Sequence, residues 1–170
     1  TLLDTHEDLG AAVNHALALA GRPSVALADM RGLIGGGARR MLERALAEGG
    51  ALPDAEFKPL YKELLRYYEA NIAVHTRLFP GGEAMLDALA ARGVKIAVVT
   101  NKFEHFARQV LDELGLSQRF FTVIGGDTMG PGRAKPAPDQ LIEMVARGGG
   151  GRAAFVGDTL FMPDFGTARC

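Results

Sequence analysis

The run of residues 94–99 constrains the fold of this chain more than any other feature. Its residues are mostly apolar and β-branched, and it stops on Thr100, Asn101 and Lys102. A continuous apolar run between two helical patterns is typical of a strand in a parallel sheet that is covered on both faces. Ligands of such sheets bind beyond the carboxyl ends of the strands. We therefore expect these three polar residues to lie at a binding edge.

Helix and strand patterns alternate after residue 75. They predict helices and strands in the order helix 83–91, strand 94–99, helix 103–114, strand 121–124, helix 138–146 and strand 153–156. Such alternation is typical of βαβ units with right-handed crossovers. Residues 6–75 show only helical patterns, predicted at 7–20, 27–33, 38–48 and 55–74. The sequence thus predicts an α/β fold with a parallel sheet, incomplete at both ends, and a helical insert at 6–75.

Composition excludes several classes of protein. The 170 residues carry a net charge of −1, and the one cysteine is the last residue, Cys170. A nearly neutral chain has no electrostatic footprint for nucleic acid, and no apolar run reaches the roughly 18 residues that span a bilayer. A single cysteine forms no internal disulfide, which favours a reducing compartment. We expect a cytoplasmic protein that binds neither nucleic acid nor a membrane.

Polar side chains follow each of the three predicted strands. Thr100 and Asn101 follow the first, Lys135 lies in the loop after the second, and Asp158 follows the third. Because parallel strands bring their carboxyl ends together, these groups are predicted to converge. A hydroxyl, an amide and an ammonium suit a phosphoryl group. The carboxylates of Asp158 and Asp164 suit Mg²⁺, which takes oxygen ligands.

Each of these residues also has a structural interpretation. Thr100 also suits the end of a strand, Asn101 suits the cap of the following helix, and Lys135 suits an ordinary solvated position. Asp127, which follows two glycines, suits a turn or a helix cap. The run at 35–37 matches no P-loop because no Gly-Lys-Ser/Thr follows it, and Arg39 suits a solvated helix face as well as a substrate anion.

The chain resembles the haloacid dehalogenase-like hydrolases, and within them the phosphoglycolate phosphatases. The stretches that carry the resemblance are Thr1-Leu2-Leu3-Asp4-Thr5, Val98-Val99-Thr100-Asn101-Lys102, Gly125-Gly126-Asp127-Thr128, Lys135-Pro136-Ala137-Pro138 and Phe155-Val156-Gly157-Asp158-Thr159. Residues 71–80 resemble the exit of that subfamily's α-helical cap. By this resemblance, residues 1–5 end the first core motif, 6–75 form the cap, and 76–170 form the α/β core.

The resemblance implies the roles of individual residues. Thr100 and Asn101 would bind the transferring phosphoryl group, Lys135 would hold that group and the nucleophile by charge, and Asp158 and Asp164 would bind Mg²⁺. Phosphate monoesters would be hydrolysed through an aspartyl-phosphate, a form of covalent catalysis. We expect further substrate contacts from Lys102, Arg39, Gly36 and Gly37.

Two departures from the family pattern bear on activity. The family's first motif is Asp-x-Asp-Gly-Thr-Leu, and this chain begins at its Thr-Leu, so the resemblance places the nucleophilic aspartate before Thr1. The chain as written is therefore expected to be inactive. Five residues separate Asp158 from Asp164, which is longer than the usual spacing.

The predicted function of the parent protein is Mg²⁺-dependent hydrolysis of a small phosphorylated metabolite, 2-phosphoglycolate, by a monomer or homodimer. The alternatives are a catalytically dead module that binds phosphate or a partner, and a phosphosugar phosphatase or mutase. A dehalogenase fits less well, because it would not need the metal that the two aspartates suggest.

Overall fold

The computed structural model describes residues 2–34, 36–47 and 49–156. Its elements, in chain order, are β1 (Leu3–Asp4), α1 (His6–Leu19), α2 (Leu27–Leu33), α3 (Ala38–Ala47), α4 (Asp54–Ala70), β2 (Arg77–Leu78), α5 (Gly82–Ala91), β3 (Ala97–Val99), α6 (Glu104–Glu113), a 3₁₀ turn (Ser117–Arg119), β4 (Thr122–Ile124) and α7 (Asp139–Arg147). The chain divides into two compact units. The helical unit is Leu3–Arg77, and the α/β unit contains the remaining described residues.

Helix α1 is the centre of the helical unit and contacts α2, α3 and α4. Its inward face consists largely of small residues, which let neighbouring helices approach closely. At Gly10, for example, a Cβ atom would lie 3.0 Å from Cγ of Met30. The rings of His15 and Tyr67 stack with their centroids 4.5 Å apart. This histidine therefore packs between α1 and α4, as expected for a structural residue.

Asp8 is a buried acid near the start of α1, with only 2% of its surface exposed. Its carboxylate accepts hydrogen bonds from the backbone N–H of His75 at 3.0 Å and from that of Thr76 at 2.8 Å. The Thr76 hydroxyl donates a further bond at 2.7 Å. A buried carboxylate is costly unless such donors surround it. Asp8 thus ties the first turn of α1 to the segment that leaves the helical unit.

The sheet of the α/β unit consists of β3 and β4, which run parallel in the described part of the chain. Ala97 pairs with Thr122, and Val99 with Ile124. Helices α6 and α7 both contact β4, and α7 also contacts β3. The parallel pairing, with a helix between the two strands, is the α/β class that the sequence predicted.

Two strand predictions need correction. The first strand begins at Ala97 rather than at Val94, and the Val94 side chain is 47% exposed. The predicted strand at 153–156 is absent, because residues 152–156 have no regular secondary structure and Val156 is 82% exposed. Apolar, β-branched composition favours a strand only where a neighbouring strand supplies backbone partners. Within the described residues, β3 and β4 pair only with each other.

The helical unit is close in extent to the predicted cap at 6–75, and its role as a cap stays a prediction. None of the helices in the described part of the chain combines the length and apolarity that crossing a bilayer requires.

Candidate active site

The carboxyl ends of β3 and β4 lie side by side and bring their polar loops together. The backbone N–H of Thr100 donates to the carbonyl of Ile124 at 3.0 Å, which continues the pairing one residue beyond β3. One step further, the N–H of Gly126 donates to the carbonyl of Lys102 at 2.8 Å. The predicted convergence of these two strand ends is therefore present.

Two glycines allow this close approach. A Cβ atom on Gly125 would lie 2.3 Å from the backbone nitrogen of Glu104, and one on Gly126 would lie 2.5 Å from the carbonyl oxygen of Asn101. Both contacts are with backbone atoms, so no side-chain rotation would relieve them. Any side chain at either position would push the two loops apart.

Lys135 joins the strand ends through its backbone. Its carbonyl accepts a hydrogen bond from Nδ2 of Asn101 at 2.9 Å, and its N–H donates to Oε1 of Gln140 at 3.2 Å. Nε2 of Gln140 donates to the carbonyl of Thr100 at 3.1 Å. The Nζ atom of Lys135 lies 5.2 Å from the centre of the Phe155 ring, a distance at which a cation is attracted to the ring face. The structure thus brings Thr100, Asn101 and Lys135 together.

Asn101 and Thr100 retain hydrogen-bonding capacity at this edge. The Oδ1 atom of Asn101 is buried and has no hydrogen-bond partner among the described residues. The alternative amide orientation would turn this oxygen towards the Lys135 carbonyl, which is also an acceptor, so the assigned orientation is the favourable one. Oγ1 of Thr100 accepts from the N–H of Lys102 at 3.2 Å, which leaves the hydroxyl proton to donate elsewhere. The edge therefore offers an acceptor and a donor to a ligand.

Asp127 is a helix cap, as its structural interpretation predicted. Its Oδ1 atom accepts from the backbone N–H of Glu104, the first residue of α6, at 2.8 Å. Thr128 in turn donates its hydroxyl to Glu104 at 2.5 Å and accepts from the N–H of Gly125 at 2.8 Å. The hydrogen bond from Thr128, with help from Arg108, holds the pKa of Glu104 below its usual value. These bonds fix the start of α6 against the end of β4.

The predicted substrate contacts outside this group remain predictions. Lys102 lies in the loop after β3, where its backbone takes part in the bonds described above. Gly36, Gly37 and Arg39 belong to the helical unit. Arg39 pairs with Glu43 at 2.8 Å and lies 4.8 Å above the Phe57 ring. These contacts account for the side chain structurally, in line with its alternative interpretation.

The predicted metal ligands, Asp158 and Asp164, lie outside the described residues. Within the described part, no group of three His, Cys, Asp or Glu residues is arranged to hold a metal ion. Asp127 is engaged in capping α6. The carboxylate oxygens of Asp158 and Asp164 are of the type that Mg²⁺ takes as ligands, and their role stays a prediction.

Gln140 is the site residue that sequence reasoning missed. It is fully buried and contacts three of the segments that form this edge. The only signal in the sequence is its place at the start of a helix that directly follows the Lys135 loop. Polar residues at helix starts are common on solvated faces, so the pattern alone does not distinguish Gln140.

Several known proteins are similar to this chain in sequence. A family model described as haloacid dehalogenase-like hydrolase matches residues 1–161. The chain is 37% identical over 163 residues to a phosphoglycolate phosphatase of Agrobacterium fabrum, covering 94% of this chain and 69% of that protein. It is 39% identical over 139 residues to the phosphoglycolate phosphatase of Cereibacter sphaeroides, covering 81% of this chain and 64% of that protein.

A solved structure resembles the fold as well. The crystal structure of a predicted phosphoglycolate phosphatase from Haemophilus somnus matches with a TM-score of 0.79 and 28% identity, covering 88% of this chain and 68% of that chain. The present chain thus spans about two thirds of the length of the relatives that it resembles.

Proposed function

This chain belongs to the haloacid dehalogenase-like hydrolase family, as its motifs predicted, and on that premise we propose that the full-length protein is a Mg²⁺-dependent phosphatase. Its proposed substrate is a small phosphorylated acid, 2-phosphoglycolate, the compound from which the relatives described above take their names. We also propose that the protein is cytoplasmic and that it is a monomer or a homodimer.

One observation carries the proposal: Thr100, Asn101 and Lys135 meet at the carboxyl ends of two parallel strands. Crevices at this edge of α/β sheets are where ligands bind. Within this group, the Thr100 hydroxyl can donate a hydrogen bond and the Lys135 ammonium carries a positive charge, while the Asn101 amide holds the Lys135 carbonyl. A hydroxyl donor beside an ammonium suits a phosphoryl group.

In the proposed reaction, an aspartate carboxylate attacks the phosphorus atom, the ester P–O bond breaks, and a second, acid/base aspartate gives its proton to the leaving alcohol oxygen. Water, which gives a proton back to that acid/base aspartate, then hydrolyses the aspartyl-phosphate to phosphate and the free carboxylate. By the family resemblance both aspartates belong to the motif that ends at Thr1-Leu2. Lys135 offsets negative charge on the phosphoryl oxygens, and the Thr100 hydroxyl donates to one of them. The charge of Lys135 and the dipole of the Thr100 hydroxyl would thus stabilise the phosphoryl group during its transfer.

Asp158 and Asp164 are the residues that we propose to hold Mg²⁺. The ion would supply additional positive charge to the phosphoryl oxygens. The helical unit is the proposed cap, and Arg39, Gly36, Gly37 and Lys102 are the proposed substrate contacts. A cap would exclude water from the edge and select among phosphate esters.

One assay distinguishes the proposed function from its two alternatives, a phosphosugar phosphatase or mutase and a catalytically dead binding module. We expect the full-length protein to hydrolyse 2-phosphoglycolate with a kcat/KM about a hundredfold above that for glucose 6-phosphate, because a site with built polar contacts discriminates strongly. Phosphate release with each ester in Mg²⁺ buffer measures both constants. A preference for the sugar phosphate would instead favour the phosphosugar enzyme. Binding of inorganic phosphate without turnover of either ester would favour the dead binding module.

A further inference from the structure

Gln140 is a fully buried amide on the first turn of α7. Nε2 donates to the carbonyl of Thr100 at 3.1 Å and to that of Gly125 at 2.6 Å. Oε1 accepts from the N–H of Lys135 at 3.2 Å. Two acceptors face the nitrogen and one donor faces the oxygen, so a single amide orientation satisfies all three bonds.

The partners of this amide come from three segments of the proposed site. Thr100 directly follows β3, Gly125 directly follows β4, and Lys135 belongs to the loop that leads into α7. All three bonds are made to backbone atoms, so they fix the positions of chain segments rather than of side-chain tips. Gln140 is therefore placed to set the distance between the Lys135 loop and the strand ends.

The backbone position of Lys135 decides which atoms its ammonium can reach. The ammonium is at the end of a four-carbon chain of limited length, so a shift of the Lys135 loop moves the region that the charge can occupy. The backbone is held at two points: the N–H is bonded to Gln140, and the carbonyl to Nδ2 of Asn101. Loss of one point would let the loop move relative to Thr100.

We propose that Gln140 is a positioning residue, which acts on phosphoryl transfer by fixing the backbone of Lys135 against that of Thr100. The proposal rests on the proposed phosphatase function. In it, Gln140 supports that reaction without contacting the substrate itself. A displacement of about 1 Å at a reacting centre lowers rates about a hundredfold. Loss of the amide is thus expected to act on kcat.

The test compares Gln140→Met with Gln118→Met in the full-length protein. The first variant keeps a side chain of similar length but loses all three bonds, whereas the second makes the same chemical change at an exposed position of the same unit. We expect kcat for 2-phosphoglycolate to fall about tenfold to a hundredfold in Gln140→Met and to stay unchanged in Gln118→Met. Circular dichroism establishes that each sample is folded at the assay temperature. Wild-type kcat in folded Gln140→Met would overturn the proposal and leave the phosphatase function standing.

A second measurement does not depend on turnover. Inorganic phosphate is titrated into the wild type, Gln140→Met, Lys135→Ala and the double variant. We expect Lys135→Ala to weaken phosphate binding at least about tenfold, as loss of a charge-assisted contact does. If Gln140 acts through Lys135, adding Gln140→Met to that variant weakens binding no further. A purely structural role predicts that the two effects add, and this result would overturn the proposal.

The two measurements also separate the two hypotheses. A wild type that hydrolyses no phosphate ester would contradict the proposed function, while the phosphate titrations would still decide whether Gln140 acts through Lys135. If Gln140→Met does not fold, Gln140→Asn replaces it in both measurements, because it keeps a neutral amide that is one methylene too short to reach all three partners. Unchanged kcat and additive phosphate binding in Gln140→Asn would equally overturn the positioning role.

Discussion

Replacing Lys135 by alanine in the full-length protein is expected to lower kcat/KM for 2-phosphoglycolate about a hundredfold to a thousandfold. Removing one donor that stabilises charge in a transition state has effects of this size. We expect a large loss because hydrogen bonds hold the backbone of this cationic residue against Asn101 and, through Gln140, against Thr100. Steady-state phosphate release measures the change.

The control for this variant is Lys62→Ala. Lys62 is an exposed lysine on α4 of the helical unit. Its replacement removes the same charge at a position that is distant in sequence from the ends of β3 and β4. We expect kcat/KM to stay within about twofold of the wild type, as for surface substitutions away from special features. Near-normal turnover in Lys135→Ala would contradict the role assigned to this lysine.

Replacing Asp8 by alanine is expected to destabilise the protein by about 3 kcal/mol or more. The change leaves two backbone N–H groups, those of His75 and Thr76, and the Thr76 hydroxyl without the carboxylate that accepts from them. Thr76 is itself only 6% exposed, so water does not readily replace the lost partner. Urea unfolding followed by far-UV circular dichroism measures the change in the free energy of unfolding.

Asp29→Ala provides the comparison for Asp8. Asp29 lies in the first turn of α2, in the same helical unit, and is exposed. We expect it to change the free energy of unfolding by no more than about 0.5 kcal/mol. Equal effects of the two substitutions would mean that the bonds to Asp8 contribute little to the stability of the helical unit.

The sequence predicted the edge of the site better than it predicted the sheet. Parallel topology alone implies that the residues after β3 and β4 meet, and Thr100 and Lys135 do so. The extent of the strands was harder to predict, because strand-like runs such as 94–96 and 153–156 do not indicate whether a partner strand is available. A strand-like composition shows that the side chains suit the surface of a sheet. It does not show that a partner strand is present to pair with the backbone.

The buried polar residues were beyond sequence reasoning for a different reason. Asp8 and Gln140 both lie on first or second turns of helices, where acids and amides are ordinary solvated residues. Their roles depend on donors and acceptors that are distant in sequence: Asp8 bonds to residues 75 and 76, and Gln140 bonds to residues 100 and 125. No local pattern encodes such pairs. Asp127 was predicted from its position after two glycines as a turn or cap residue, and it caps α6, although the helix that it caps begins at Glu104.

The most direct test of the phosphatase function is the metal dependence of phosphate release from 2-phosphoglycolate by the full-length protein. We expect release in Mg²⁺ buffer, loss of release in excess EDTA, and recovery when Mg²⁺ is restored, because the phosphoryl group would need both Lys135 and the metal to offset its charge. Release that continues undiminished in excess EDTA, or a folded full-length protein that releases no phosphate with Mg²⁺ present, would contradict it.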